Sequence, residues 1–185
     1  MTRVPPARRE LIPPDLQQAF DAALHRHGGV PRYGNHTVML YSPEACERVH
    51  HWADYLRKDS ILSDSVREHA MLVTAREHDC QYIWNVHAAA GRRAGLSSEL
   101  LDAVRDKKSL PSLKPEEAAV IRYGQEYYRT LHVSKGTFEE ALAKFGVQGV
   151  VELTMLMGFC ALLAFNLHAF DIDLPDQRTE PLLPV

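Results

Sequence analysis

Paired cysteines, metal-ligand spacing, excess charge and long apolar runs are all missing from this chain of 185 residues. Its cysteines, Cys46, Cys80 and Cys160, are odd in number and far apart, with no Cys-x-x-Cys pair. That excludes a secreted disulfide scaffold and a zinc knuckle, and it predicts free thiols in a reducing, cytoplasmic compartment. Lys and Arg number 21 against 24 Asp and Glu, a net charge of -3. Such a balance offers no field for nucleic acid or an anionic membrane. The most apolar run, residues 153–165, has only 13 residues, whereas a membrane span needs roughly 20. The first residues, with Pro5, Pro6, Arg8, Arg9, Pro13 and Pro14, contain no stretch apolar enough for a secretory signal. Ten histidines are scattered, and neither His25-x-His27, His50-His51 nor Asn166-x-His168 matches a metal-binding spacing. No metal and no cofactor are expected.

What is present is helix punctuation. Hydrophobic residues make up 45% and charged residues 24%, the composition of one ordinary globular domain of this length. Residues 1–14 read as an extended proline-rich arm, 15–170 as a single helical domain and 171–185 as an irregular tail. Asp15 is placed to cap a helix stopped by Gly28 and Gly29, followed by a loop over 28–41. Ser42-Pro43-Glu44 opens a second helix, to about Lys58, with a stripe of Ala45, Val49, Trp52, Ala53 and Leu56. A third starts near Ser63–Ser65 and runs to about Glu77. Asp79 is placed to cap a fourth, over 80–94, which Gly95 ends, and Ser97 caps a short fifth. Pro115-Glu116-Glu117 opens a sixth, Thr137-x-x-Glu140 reads as a capping box for a seventh closed by Gly146, and the last covers about 147–169. No β-type alternation survives, so the fold class is an all-α bundle of about eight helices. The last helix is apolar nearly all round, which places it in a core or at a subunit interface.

The chemistry concentrates in residues 67–96. On the fourth helix Cys80, Ile83, Trp84 and His87 fall at i, i+3, i+4 and i+7 and share one face. Cys80 belongs to the first turn, where unpaired amides and the helix dipole favour a thiolate. His87 supplies an imidazole, the side-chain type suited to a proton shuttle. A tight turn around His78 and Asp79 folds the third and fourth helices antiparallel and brings Glu68 toward that imidazole. Spacing alone leaves a second role for Glu68, because Ser65-x-x-Glu68 is itself a capping box. His87 can equally be a satisfied core histidine and Cys80 a small buried hydrophobe. Tyr82 and Trp84 read as core or pocket wall. Arg92 and Arg93 sit at a helix C-terminus, where the dipole alone favours cations.

Glu68, eleven intervening residues, Cys80, then His87 and Gly91-Arg92-Arg93-Ala94-Gly95-Leu96 resemble the carboxymuconolactone decarboxylase and alkyl hydroperoxidase D-like superfamily. The similarity is strongest over 67–101 and extends loosely over 42–175. The peroxidase members carry Cys-x-His-Cys, with two cysteines cycling through a disulfide. Here Tyr82 stands at the internal histidine position and Ile83 at the second cysteine position, so that cycle cannot run. The pattern is instead similar to the decarboxylase-like branch, whose members need neither metal nor organic cofactor. The resemblance implies an oligomer, a trimer or hexamer, with Glu68, Cys80 and His87 catalytic and Tyr82, Ile83 and Trp84 lining the substrate pocket. It implies decarboxylation or a related proton transfer on a small carboxylated or lactone-like compound. Two alternatives stand beside it: a thiol antioxidant in which Cys80 reduces a peroxide and an external thiol resolves it, and a non-catalytic binding or scaffold subunit.

Overall fold

The protein is described from a computed structural model, over residues 2–185. Met1, at the start of the expected arm, and the His27 side chain lie outside the described part. Among the described residues there are eight α-helices and no strand. They are α1 Gln17–His27, α2 His36–Met39, α3 Pro43–Lys58, α4 Asp64–Glu77, α5 Gln81–Arg93, α6 Ser98–Arg105, α7 Pro115–Thr130 and α8 Lys135–Ala169. Two compact units separate: residues up to Asp59 with 165–176, and Ser60–Ala164 with Gln177–Val185.

In the first unit the proline-rich arm is packed rather than extended. It forms two short 3-10 turns, Arg9–Leu11 and Pro14–Leu16. Ala7 donates its amide to the Thr37 carbonyl at 2.7 Å, and Ala7 and Ile12 join Phe20, Leu40 and Cys46 in a buried cluster. Asp15 lies in the second of these turns, so Leu16, not Asp15, holds the N-cap position of α1. Gly28, in the left-handed region at φ 69°, ends that helix as expected. The segment expected as loop contains α2, whose Thr37 and Val38 are buried.

The second unit is built around α4, which packs against α5, α6 and α7. Every residue of α4 from His69 to Arg76 is buried, the polar His69, Thr74 and Arg76 included, so this helix is central to the unit. The Ser63 side chain caps it by accepting the Val66 amide at 3.3 Å; the cap falls on Ser63 rather than Ser65. Just ahead of it, buried Glu152 of α8 accepts the Ser60 hydroxyl at 2.6 Å, the Ile61 amide at 2.8 Å and the Gln148 side-chain amide at 2.8 Å. The Ser60 and Ile61 donors hold the segment that leads into α4 on α8, and Gln148, one turn back on α8, orients the carboxylate. Tyr128 of α7 ties the far end, its hydroxyl donating to the Met157 carbonyl at 2.9 Å and lying 3.1 Å from Thr74 Oγ1.

The expected break between the last two helices occurs. Gly146, at φ 65° and ψ 179°, interrupts the helical dihedrals within α8, a conformation that costs glycine little. The N-terminal cap there is Ser134, whose hydroxyl accepts the Thr137 amide at 3.4 Å, not Thr137. By length and composition α8 is long and apolar enough to cross a membrane, and half of its most apolar stretch is buried inside the protein.

Candidate active site

The α4–α5 turn positions the site. His78 closes α4, and Asp79 takes a left-handed conformation at φ 49°, which a short polar side chain tolerates better than most. That single residue reverses the chain and moves the N-cap of α5 one position later than the sequence suggests. Cys80 itself is the N-cap, its amide donating to the Ala75 carbonyl at 2.7 Å. Gly95 at φ 91° ends the helix, with the Leu96 amide on the Gly91 carbonyl at 2.9 Å.

Helices α4 and α5 therefore run as an antiparallel hairpin, with Glu68 on the first arm and His87 on the second. Glu68 Oε2 lies 2.8 Å from His87 Nδ1. An ionised carboxylate can only accept, so the imidazole donates from Nδ1 and presents Nε2 as its free nitrogen. The capping-box alternative for Glu68 does not form, because its carboxylate is on His87 and Ser63 is the cap. Both side chains are partly accessible, His87 at 23% and Glu68 at 19%.

Cys80 is only 1% exposed. Burial pushes its thiol up, and the Ile83 and Tyr82 backbone amides act in the opposite direction. Burial is the larger of these effects, so the net shift is upward. Tyr82 is half-buried, with its phenol pushed up by burial, and Ile83 is buried. Trp84 is 2% exposed and its indole N–H donates to the Pro181 carbonyl at 3.1 Å, a tie to the C-terminal segment. Arg92 does not offer its charge to solvent ligands: it holds Glu180 through Nε at 3.1 Å and Nη2 at 3.1 Å.

Sequence reasoning missed two features. Cys160, on α8, is wholly buried, with its sulfur 3.8 Å from the Met71 carbonyl. Burial pushes its thiol up and the neighbouring Cys80 pushes it further, so the two sulfurs lie within electrostatic range. Eighty residues separate them in the chain, and nothing local signals the approach. The second feature is the C-terminal segment, whose backbone carbonyls bind α5 and leave no side-chain pattern to read. Among the described residues no group of three His, Cys, Asp or Glu side chains is placed to hold a metal ion.

Residues 43–126 match the model of the carboxymuconolactone decarboxylase family. No curated protein is matched. Among solved structures, an uncharacterized peroxidase-related protein from Ralstonia eutropha JMP134 with an alkylhydroperoxidase AhpD core is 19% identical, with a TM-score of 0.71 over 95% of this chain and 93% of that one. The apo debrominase Bmp8 is 16% identical, with a TM-score of 0.70 over 95% and 94%. The Agrobacterium tumefaciens protein ATU0492, a putative antioxidant defence protein AhpD, is 18% identical, with a TM-score of 0.63 over 75% and 96%. At these identities the likeness carries the fold.

Proposed function

We propose that the chain is a member of the carboxymuconolactone decarboxylase and alkyl hydroperoxidase D-like superfamily, supported by the family match over residues 43–126 and the shared fold, and that it is an enzyme of cofactor-free acid–base chemistry. Its reaction is decarboxylation, or a related proton transfer, on a small carboxylated or lactone-like compound. The observation that carries this reading is the 2.8 Å hydrogen bond between Glu68 and His87. A carboxylate on Nδ1 orients the ring and supports the imidazolium, which leaves Nε2 to move the proton. In decarboxylation the electrons of the breaking C–C bond pass to the carbon that loses carbon dioxide, and the His87 imidazolium delivers a proton there. Cys80, its thiol pushed up by burial, is a polar member of the pocket, with Tyr82, Ile83 and Trp84.

The position of Cys80 favours a second reading. It holds the N-cap position of α5, where the Ile83 and Tyr82 amides act against the rise that burial imposes, and a helix N-terminus is a place that favours a thiolate. In that reading Cys80 reduces a peroxide and an external thiol resolves the product. Its alternative outcome, a scaffold that binds without turnover, belongs to the same test.

That test compares variants of equal helical content and oligomer size. Under acid–base chemistry His87→Gln lowers activity on the substrate by about 10²–10⁴-fold, and Cys80→Ser costs far less. Under thiol chemistry the order reverses, because serine is not ionised near neutral pH. An inactive Cys80→Ser beside an active His87→Gln sinks the acid–base reading. Saturable ligand binding with no turnover in the wild type sinks both.

We also propose self-association as a trimer or hexamer. Val147, 73% exposed, and Val151, 51% exposed, lead an apolar stripe with Met155 on α8. With Phe138 and Tyr123 they line a cleft of about 480 Å³. Contiguous exposed apolar surface of this kind marks a contact site. Three free, buried cysteines and the net charge of -3 support a cytoplasmic protein with no nucleic-acid or membrane partner.

A further inference from the structure

The C-terminal segment 180–184, Glu-Pro-Leu-Leu-Pro, runs along α5 toward its N-terminus and is held tie by tie. Glu180 pairs with Arg92, its side chain only 7% exposed. Its carbonyl accepts from the Asn85 amide at 3.3 Å, and the next carbonyl, Pro181, accepts from Trp84 at 3.1 Å. Leu183, 3% exposed, makes a reciprocal pair with Gln81: its amide donates at 2.8 Å and its carbonyl accepts at 2.8 Å. The last tie is the Pro184 carbonyl on Arg76 at 3.2 Å. Arg76 also pairs with Asp79.

The two final ties therefore hold Arg76 and Gln81, which flank Cys80 on either side of the α4–α5 turn. We propose that residues 180–184 are a releasable strap that gates access to Cys80. Two properties make it releasable. The segment has no regular secondary structure, and Pro181 and Pro184 carry no N–H with which to build any. Its attachments are one ion pair and a row of side-chain-to-backbone bonds, with Leu183 the one buried apolar anchor among residues 177–185. A segment of this kind opens without unfolding the helices beneath it. Two further properties make it specific: Arg92 reads the Glu180 carboxylate through a two-nitrogen fork, and Gln81 reads both polar groups of one residue. The strap holds under either reading of the site's chemistry, because it governs whether the thiol can be reached and not what the imidazole does.

The experiment is the rate of iodoacetamide alkylation at each cysteine of the full-length reduced protein, mapped by mass spectrometry. Cys46 and Cys160, both buried, serve as internal references. Glu180→Arg sets two cations against each other and is expected to speed alkylation of Cys80 at least about tenfold while the reference rates hold. Glu180→Gln gives a smaller acceleration of the same pattern, and Leu183→Ser, which removes the apolar anchor, gives a large one. Adding Arg92→Glu to Glu180→Arg restores the ion pair in reverse and returns the rate to near wild type. Unchanged Cys80 labelling in both Glu180→Arg and Leu183→Ser overturns the proposal. So does equal acceleration of Cys80 and Cys160, or a variant that does not fold, since the segment would then be a brace for the whole second unit.

Discussion

Replacing Gly124 of α7 with alanine tests how tightly the central helix is held. A β-carbon at Gly124 would lie 2.8 Å from Val73 Cγ1 and 2.9 Å from Met157 Cε. Methionine can swing its terminal methyl aside. Val73 cannot: it is 1% exposed, and a β-branched side chain within a helix has essentially one χ1 rotamer. The α7 backbone must therefore move off α4. Overpacking of this kind costs about 1–3 kcal/mol, and the better helix propensity of alanine returns about 1 kcal/mol. The net expectation is a loss of about 1 kcal/mol, or roughly 2–4 °C in melting temperature for a chain of this size. Gly91→Ala in α5 is the matched control. Its β-carbon meets Leu72 Cδ1 and Leu96 Cδ2, each at 3.2 Å, and these flexible ends yield by tenths of an ångström. Propensity then dominates, and Gly91→Ala should be neutral or stabilising by up to about 1 kcal/mol. Urea unfolding of the two variants and the wild type decides the matter. If Gly124→Ala is as stable as the wild type, or less damaging than Gly91→Ala, the packing argument is wrong.

Two further expectations concern burial and assembly. Burial pushes the Cys46 thiol from 9.0 up to about 11, so between those pH values the folded chain retains a proton that the unfolded chain has lost. Stability must fall as pH rises through that window, by roughly 2–3 kcal/mol in total. The fall should be shallower in Cys46→Ala by that amount, and parallel pH–stability curves for the two proteins would contradict it. On the exposed α8 stripe, Val151→Asp places a charge at a contact centre and should yield monomers by light scattering with unchanged helical content. Wild-type protein already at single-chain mass at micromolar concentration rules the interface out.

The parts of this structure that could be read ahead are those governed by local rules. Gly28, Gly95 and Gly146 all adopt positive φ where a helix had to stop or break, because few other residues enter that region cheaply. The Glu68–His87 contact was legible because a tight turn folds two sequential helices into one register. What was not legible was set by tertiary geometry. Asp79 at φ 49° shifts the cap to Cys80, and no propensity separates that from a cap at Asp79. Ser63 and Ser65 are equally good caps by type, and the Glu152 anchor on Ser60 and Ile61 decides between them from 91 residues away. α2 is one turn held by burial of Thr37 and Val38, too short to show a period. The strap was invisible because it is bound through its carbonyls, and its one charged signal, Glu180 to Arg92, spans 88 residues.

The two chemical readings make opposite demands on that strap, and this separates them without knowledge of the substrate's identity. The imidazole of His87 is 23% exposed, whereas the sulfur-bearing Cys80 is 1% exposed. A molecule arriving from solvent meets the proton shuttle with the segment in place, so acid–base turnover needs no opening and should be insensitive to Glu180. Thiol chemistry instead requires the sulfur to be uncovered and ionised, and both conditions improve together when the strap leaves, because hydration removes the burial that raises the thiol's pKa. Glu180→Arg should therefore leave a decarboxylation-type activity within about twofold of wild type and raise any thiol-dependent peroxide consumption in proportion to Cys80 alkylation. The argument turns on proportionality: a peroxide activity that stays flat while alkylation rises tenfold means that the thiol was reached but does not act, and Cys80 is then a wall of the His87 site.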